Sequence, residues 1–317
     1  MKDHLPAEPS WLIAALAIVA IMSVSEVFPR TLGQTVRPGT LPALVELDAV
    51  VVDHDERPVP GLHQEDFQVK EDGRAVAVTS FTEVSAGGIA GRADGRSVVL
   101  LLDDAGVGPM ATTLVRSIAR LFLSHVRLAD TISVVRLTHH DDEVVAPMAI
   151  ALQRVEEYRA RSEPYFGRET IEESLQALTR ISKQLEPIAH RRKTVVCVGR
   201  RSLCDLYIEV PEDSLVWPFW RDAVTAMAHA NVSLYVVDPA GLSGRFDLGN
   251  GLVEATGGDD FVRSNDFTRD AELVWSQAGH YYLLGYAPGP PSRKLHTIDV
   301  KVRRSGVRVL ARQQRGD

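Results

Sequence analysis

Two hydrophobic periods divide the chain. Between residues 96 and 279, short continuous apolar runs alternate with stretches of helical spacing. Residues 98–102, Val-Val-Leu-Leu-Leu, have no polar face, which predicts a strand buried on both sides at the centre of a parallel sheet. Residues 132–137, 194–198 and 233–237 repeat that pattern, and 261–262 predicts a short edge strand. Residues 143–149 read as the hairpin partner of strand 132–137. Helical spacing marks 110–126 (Leu114, Ile118, Leu121, Phe122) and 169–185 (Ile171, Leu175, Leu178, Ile181, Leu185), the second stopped by Pro187. Residues 217–230, 248–256 and 268–278 predict three further helices, with Gly257-Gly258 at the C-cap of the middle one. This alternation predicts an α/β fold with a doubly wound, mostly parallel sheet.

Both ends of the chain change to period two. Residues 44–52 predict a strand; Phe67 and Val69 then alternate with Gln68 and Lys70, and Asp72-Gly73 is a strong hairpin signal before a return strand at 75–84. At the other end, 280–286, 295–303 and 307–312 predict strands broken by Pro288 to Pro291 and by Ser305-Gly306. Neither end can cover its own apolar face, so the two are expected to form one small antiparallel β-sandwich. The organisation expected is a signal peptide or N-terminal anchor with its linker at 1–34, a first part of the sandwich at 44–84, an α/β domain at 96–279 and a second part of the sandwich at 280–312.

Residues 11–24 are apolar apart from Ser23. That is shorter than the roughly 17–25 residues of a membrane-spanning helix and suits the core of a secretory signal, with Ser23 and Ser25 as small residues at a cleavage site. The charge before it is weak, Lys2 being offset by Asp3 and Glu8, so an uncleaved anchor stays open. The net charge of −7 argues against nucleic acid as a partner. The basic tail residues Lys301, Arg303, Arg304, Arg308, Arg312 and Arg315 read as the wet face of strands. Cys197 and Cys204 are the two cysteines. Two ligands cannot make a structural zinc site, and a disulfide and two free thiols both stay open.

The central strand ends in Asp103 and Asp104, followed by the loop Ala105-Gly106-Val107-Gly108-Pro109. Ligands of open α/β sheets bind outside the carboxyl ends of the strands, so an acid there is a candidate metal or ligand site. Asp238 ends a later strand on the same side and reads as a loop-capping acid. His139-His140-Asp141-Asp142-Glu143 has the composition of a metal site but reads most simply as a solvated turn. Trp217, Phe219 and Trp220 read as core, and Tyr281, Tyr282 and Tyr286 as packing between domains. Gly249-x-Gly251 lacks the third glycine of a dinucleotide fingerprint, and neither a Gly-x-Ser-x-Gly elbow nor a phosphate-cradling loop is present.

The order of these elements resembles the von Willebrand factor type A domain. Three blocks resemble bacterial secreted VWFA-related proteins: Val59-Pro60-Gly61-Leu62 with Asp66-Phe67-Gln68-Val69-Lys70-Glu71-Asp72-Gly73, Thr256-Gly257-Gly258, and His280-Tyr281-Tyr282-Leu283-Leu284-Gly285-Tyr286. The resemblance implies a metal-ion-dependent adhesion site of the pattern Asp-x-Ser-x-Ser, a later Thr and a late Asp. Asp103 matches the first position, but Ala105 and Val107 stand at the two serines. Thr170 matches the threonine, and Gly199-Arg200-Arg201 stands where the late aspartate belongs. The site implied is therefore degenerate. The function expected is non-catalytic protein–protein interaction, metal-independent and without a cofactor, exported to the cell envelope. It would use loops around Asp103, Asp104 and Gly106, around Phe166 to Thr170, and around Arg200 and Arg201. The partner expected is an envelope or extracellular protein, with membrane contact only through an uncleaved N-terminal segment. One alternative is a Mg²⁺-dependent adhesion module with Asp103, Asp104 and Thr170 as ligands. Another is a hydrolase using the Asp103/Asp104 pair, which requires a pocket with perturbed acids.

Overall fold

Four strands open the described chain: β1 (Val45–Val52), β2 (Phe67–Glu71), β3 (Arg74–Val76) and β4 (Val78–Ser85). Then follow β5 (Ser97–Leu102), α1 (Thr112–Ser124), β6 (Thr131–Arg136), α2 (Met148–Glu157), α3 (Arg168–Leu185), β7 (Lys193–Val198), α4 (Trp217–His229), β8 (Val232–Val237), α5 (Leu252–Thr256), β9 (Asp260–Phe261) and α6 (Phe267–Gly279). Four strands close it: β10 (His280–Tyr286), β11 (His296–Val302), β12 (Arg308–Ala311) and β13 (Gln314–Arg315). The computed structural model describes residues 44–85, 95–144, 147–161, 167–188, 192–200, 211–243, 251–261 and 264–317. The expected signal or anchor at 1–34, Phe166, Arg201, Cys204 and Gly249 lie outside the described residues.

The two ends do combine. One antiparallel sheet has the order β12-β1-β10-β4 and a second has β13-β11-β2-β3. Leu47, Ala49 and Val51 of β1 and Tyr282, Leu284 and Tyr286 of β10 share one core with Phe67, Val69 and Ile298 of the second sheet. The alternate residues of the first sheet, Val50, Val52, Tyr281 and Leu310, form a separate cluster on its other face. That sheet is therefore apolar on both sides, which explains why β1 buries six consecutive residues. At the β2–β3 hairpin, Asp72 (φ 50°) and Gly73 (φ 75°) both have positive φ, as a tight two-residue turn requires. The return strand predicted at 75–84 is two strands, broken at Ala77 where the chain passes from one sheet to the other.

The third sheet is parallel, with the order β6-β5-β7-β8-β9. Helices cover both faces. Val99, Leu101, Val195 and Cys197 meet Leu175, Leu178 and Ile181 of α3 and Trp220 and Met227 of α4. Val98, Leu100, Val196 and Val198 meet Ile118 and Phe122 of α1 and Val274 and Trp275 of α6. Trp220 is core, as expected, with Trp217 and Phe219 packed at its margin. On α1 the buried face is turned by one residue from the predicted one: Val115 is buried and Leu114 is exposed.

The predicted hairpin strand at 143–149 is corrected by the structure. Met148 and Ala149 begin α2, and β6 has no antiparallel partner among the described residues. Arg154 of α2 takes the strand's place: it donates to the Val134 carbonyl of β6 (2.8 Å) and the Glu143 carbonyl (2.7 Å), and pairs with Asp142 (3.1 Å). Asp142 also accepts from Arg136 Nε and its main-chain N–H. Burial works against this carboxylate, but the Arg136 hydrogen bonds and the charges of Arg154 and Arg136 hold its pKa below the usual range. The turn expected at 139–143 is present, but it closes on arginines rather than on a strand.

The sandwich seats on the amino ends of the parallel strands. Arg192, immediately before β7, is buried against Asp48 of β1, donates to the Gly257 carbonyl (2.8 Å) and to Tyr235 Oη (3.1 Å), and its main-chain N–H donates to Tyr281 Oη (3.2 Å). Gly257 ends α5 at φ 75°, where an added Cβ would strike the main chain at Ala311 and Arg312. With the amino ends covered, the carboxyl ends of the strands are left for binding.

Candidate functional site

The order of the parallel sheet places its topological switch point between β5 and β7, the first and third strands of the sheet in sequence. In a doubly wound sheet the crevice for a ligand opens at that point, beyond the carboxyl ends. Asp103 leaves β5 there and Gly199-Arg200 leaves β7.

Asp103 is fully buried, and its carboxylate is held by main-chain N–H groups on both sides of the crevice. Oδ1 accepts from Ala105 (3.0 Å) and Gly106 (2.6 Å), and Oδ2 accepts from Arg200 (2.9 Å). Its own carbonyl accepts from Tyr158 Oη (2.6 Å), and its N–H donates to the Val198 carbonyl (3.1 Å). Gly199 lies directly against it: an added Cβ would overlap the Asp103 Cβ. Burial raises the Asp103 pKa, the three N–H donors oppose that rise, and the neighbouring Asp104 charge adds to it.

Asp104 turns to the next loop. Oδ1 accepts from the Thr138 N–H (3.0 Å), and Oδ2 accepts from Thr138 Oγ1 (2.7 Å) and meets His139 Nδ1 (3.1 Å). The Asp104 carbonyl accepts from the Arg161 N–H (3.0 Å). The two acids thus tie together four segments: the β5 loop, the β6 loop, the end of β7 and the chain after α2.

Thr170, in the first turn of α3, is buried and occupied locally. Its hydroxyl donates to the Gly167 carbonyl (2.8 Å) and accepts from the Gly167 N–H (3.0 Å). Asp238 caps its own loop, accepting from the Ala240 N–H (2.8 Å). Arg200 is exposed at the rim.

This donor set does not fit a Mg²⁺ ion. A carboxylate has about four acceptor positions, and three on each aspartate are taken by protein donors. Ala105 and Val107 bring no side-chain oxygen, and the Thr170 hydroxyl is spent on Gly167. Among the described residues, the cluster with metal-ligand composition is Asp53, His54 and Asp55, in the exposed turn after β1 rather than at the switch point.

The leader and tyrosine blocks prove to be partners in space. Tyr282 Oη donates to the Val59 carbonyl (2.7 Å) and accepts from the Leu62 N–H (3.1 Å), with its ring 5.2 Å from that of Phe67. Tyr286 Oη donates to Glu71 (3.1 Å), which also accepts from Arg315 Nε (2.8 Å) and the Gly289 N–H (2.7 Å). These residues build the sandwich.

Tyr158 and Thr138 carry no separate signal in the sequence, whereas the close approach at Gly199 has one, a glycine directly after an apolar strand. Cys197 is buried in β7, and the only other cysteine of the chain, Cys204, lies outside the described residues. No described helix is long and apolar enough to cross a membrane. No family model matches the chain, and no curated protein matches it.

Proposed function

We propose that this is an exported, non-catalytic protein-binding module of the von Willebrand type A kind, and that it binds its partner without a metal. The observation that carries this reading is the Asp103 carboxylate, which lies buried at the switch point and accepts from three main-chain N–H groups. A carboxylate committed to the main chain favours metal-independent binding by the loop surface. That surface carries apolar anchors: Met110, in the turn leading into α1, is 97% exposed, and Leu242, in the loop after β8, is 62% exposed. Methionine is enriched at interfaces, and flexible apolar side chains suit a protein surface.

Two measurements test the reading. Thermal melts of the protein in EDTA and in excess Mg²⁺, Mn²⁺ or Ca²⁺ are expected to coincide. A bound cation at 100 times its Kd would stabilise by about 2.7 kcal/mol. A rise of that size that Asp103→Ala abolishes would replace this reading with metal-dependent adhesion. In affinity capture from envelope extracts, a protein retained by the native chain is expected to be lost with Met110→Asp/Leu242→Asp. Equal retention by the variant would move the binding surface elsewhere.

A further inference from the structure

Among the described residues, each of the three sheets ends in two edge strands, and five of these six edges are short or blocked. β13 and β9 have two residues each, β3 has three and β12 has four. β6 is longer, but α2 lies over it and Arg154 occupies its Val134 carbonyl. The sixth edge is different. β4 runs for eight residues, Val-Thr-Ser-Phe-Thr-Glu-Val-Ser, and pairs only with β10 among the described residues. It contains no proline and no lysine, the residues that usually blunt an edge. Its one break is at the start, where the register shifts beside Val78 and Gln64 Nε2 donates to the Val78 carbonyl (2.7 Å). From Ser80 to Ser85 the pairing to β10 is regular.

We propose that β4 pairs with β4 of a second copy of this chain, antiparallel about a two-fold axis, joining two four-stranded sheets into one of eight strands. Charge favours this occupant. Its only charged residue, Glu83, is already engaged by the Gly61 N–H (3.0 Å) and lies 3.2 Å from His280 Nε2. A two-fold axis normal to the sheet sets one residue against its own copy. Centred on Thr82, it places Phe81 opposite Glu83 of the second chain and Ser80 opposite Val84. Centred on Phe81, it stacks the two aromatic rings. Both keep the carboxylates from facing each other directly; only centring on Glu83 opposes like charges. The two-fold keeps each sheet face on its own side, so the sandwich core of one copy continues into the next. The contact is isologous and closes at a dimer. It uses a face of the molecule separate from the carboxyl-end loops and does not depend on the function proposed for them.

Sedimentation velocity of the full chain over a concentration series tests the proposal. The native chain is expected to shift from monomer to dimer, and Thr82→Lys, which sets two ammonium groups directly opposite each other in the Thr82-centred register and diagonally adjacent in the Phe81-centred one, is expected to weaken the dimer at least tenfold. Ser80→Lys provides a second variant at an exposed side chain, and Thr82→Val, which keeps a good strand former, is expected to dimerise as the native chain does. Melting temperatures of all variants within a few degrees of the native value confirm that they fold. A native chain that stays monomeric overturns the proposal, as does a dimer that neither lysine variant weakens, which would place the association at another surface.

Discussion

At Gly199 the main chain runs against the side chain of Asp103, leaving no room for even a methyl group. Gly199→Ala must push β7 away from β5 at the point where Arg200 donates to Asp103, and is expected to cost about 1–3 kcal/mol in urea denaturation. Unchanged stability would show that the two strand ends are not held together in the way described. A second residue governs a pH dependence. Asp270 on α6 is buried, and its Oδ2 has no hydrogen-bond partner among the described residues. Burial, and less strongly the Asp266 charge, raise its pKa to about 6 against the opposing hydrogen bond to Ser264. The unfolded carboxyl titrates near 3.9, so between those values the folded protein holds more protons than the unfolded chain. This group's contribution to stability is therefore greatest below about pH 4 and declines as pH rises to about 6. Asp270→Asn is expected to remove that decline and to stabilise the protein at pH 7 by on the order of 2–3 kcal/mol. Denaturation curves at pH 4 and pH 7 check this: a difference between variant and native protein that is the same at both would exclude titration as its cause.

Among the elements, α2 and β6 depend on each other through Arg154. Arg154→Leu leaves the Val134 and Glu143 carbonyls without their donor and Asp142 with Arg136 alone, and is expected to cost about 2–4 kcal/mol. Light scattering of the variant is expected to rise as well, because the β6 edge is uncovered. This is also where reading the sequence failed. Val144, Val145 and Ala146 form a short apolar run that fits a strand as well as a helix approach, and the informative residue was Pro147, which stands at the N-cap of α2. The other long strands of the parallel sheet were legible because burial on both faces makes them mainly apolar, with polar residues mostly near their ends. The sandwich was legible because each end of the chain had apolar alternation with nothing of its own to cover it. The position of Asp103 and Asp104 was also legible, but their role was not. A carboxylate that ligates a cation and one that accepts main-chain N–H groups have the same sequence, and only the backbone path of residues 105–106 and 199–200 separates them.

In the whole molecule, the sandwich and the α/β layer meet at a buried charge pair. Removing one partner with Asp48→Leu strands the Arg192 guanidinium and is expected to cost about 3–5 kcal/mol, while Asp48→Leu/Arg192→Met is expected to recover most of that loss. The measurement is a double-mutant cycle by chemical denaturation; additive losses would mean that the pair is not coupled. The same junction bears on the order in which the protein can be built. Leu47 pairs with Leu284 and Val50 with Leu310, so both neighbours of β1 come from the far end of the chain. During synthesis the first strands emerge early and stand without partners while the intervening residues are made. The parallel sheet can close on its own local crossovers in that interval, but the sandwich must wait for β10 and β12. Loops of such length are slow to close, and exposed strands are prone to wrong pairings until they do. The long β4 is among the strands left waiting, which makes this interval the stage at which a chaperone would matter most to the yield of folded protein.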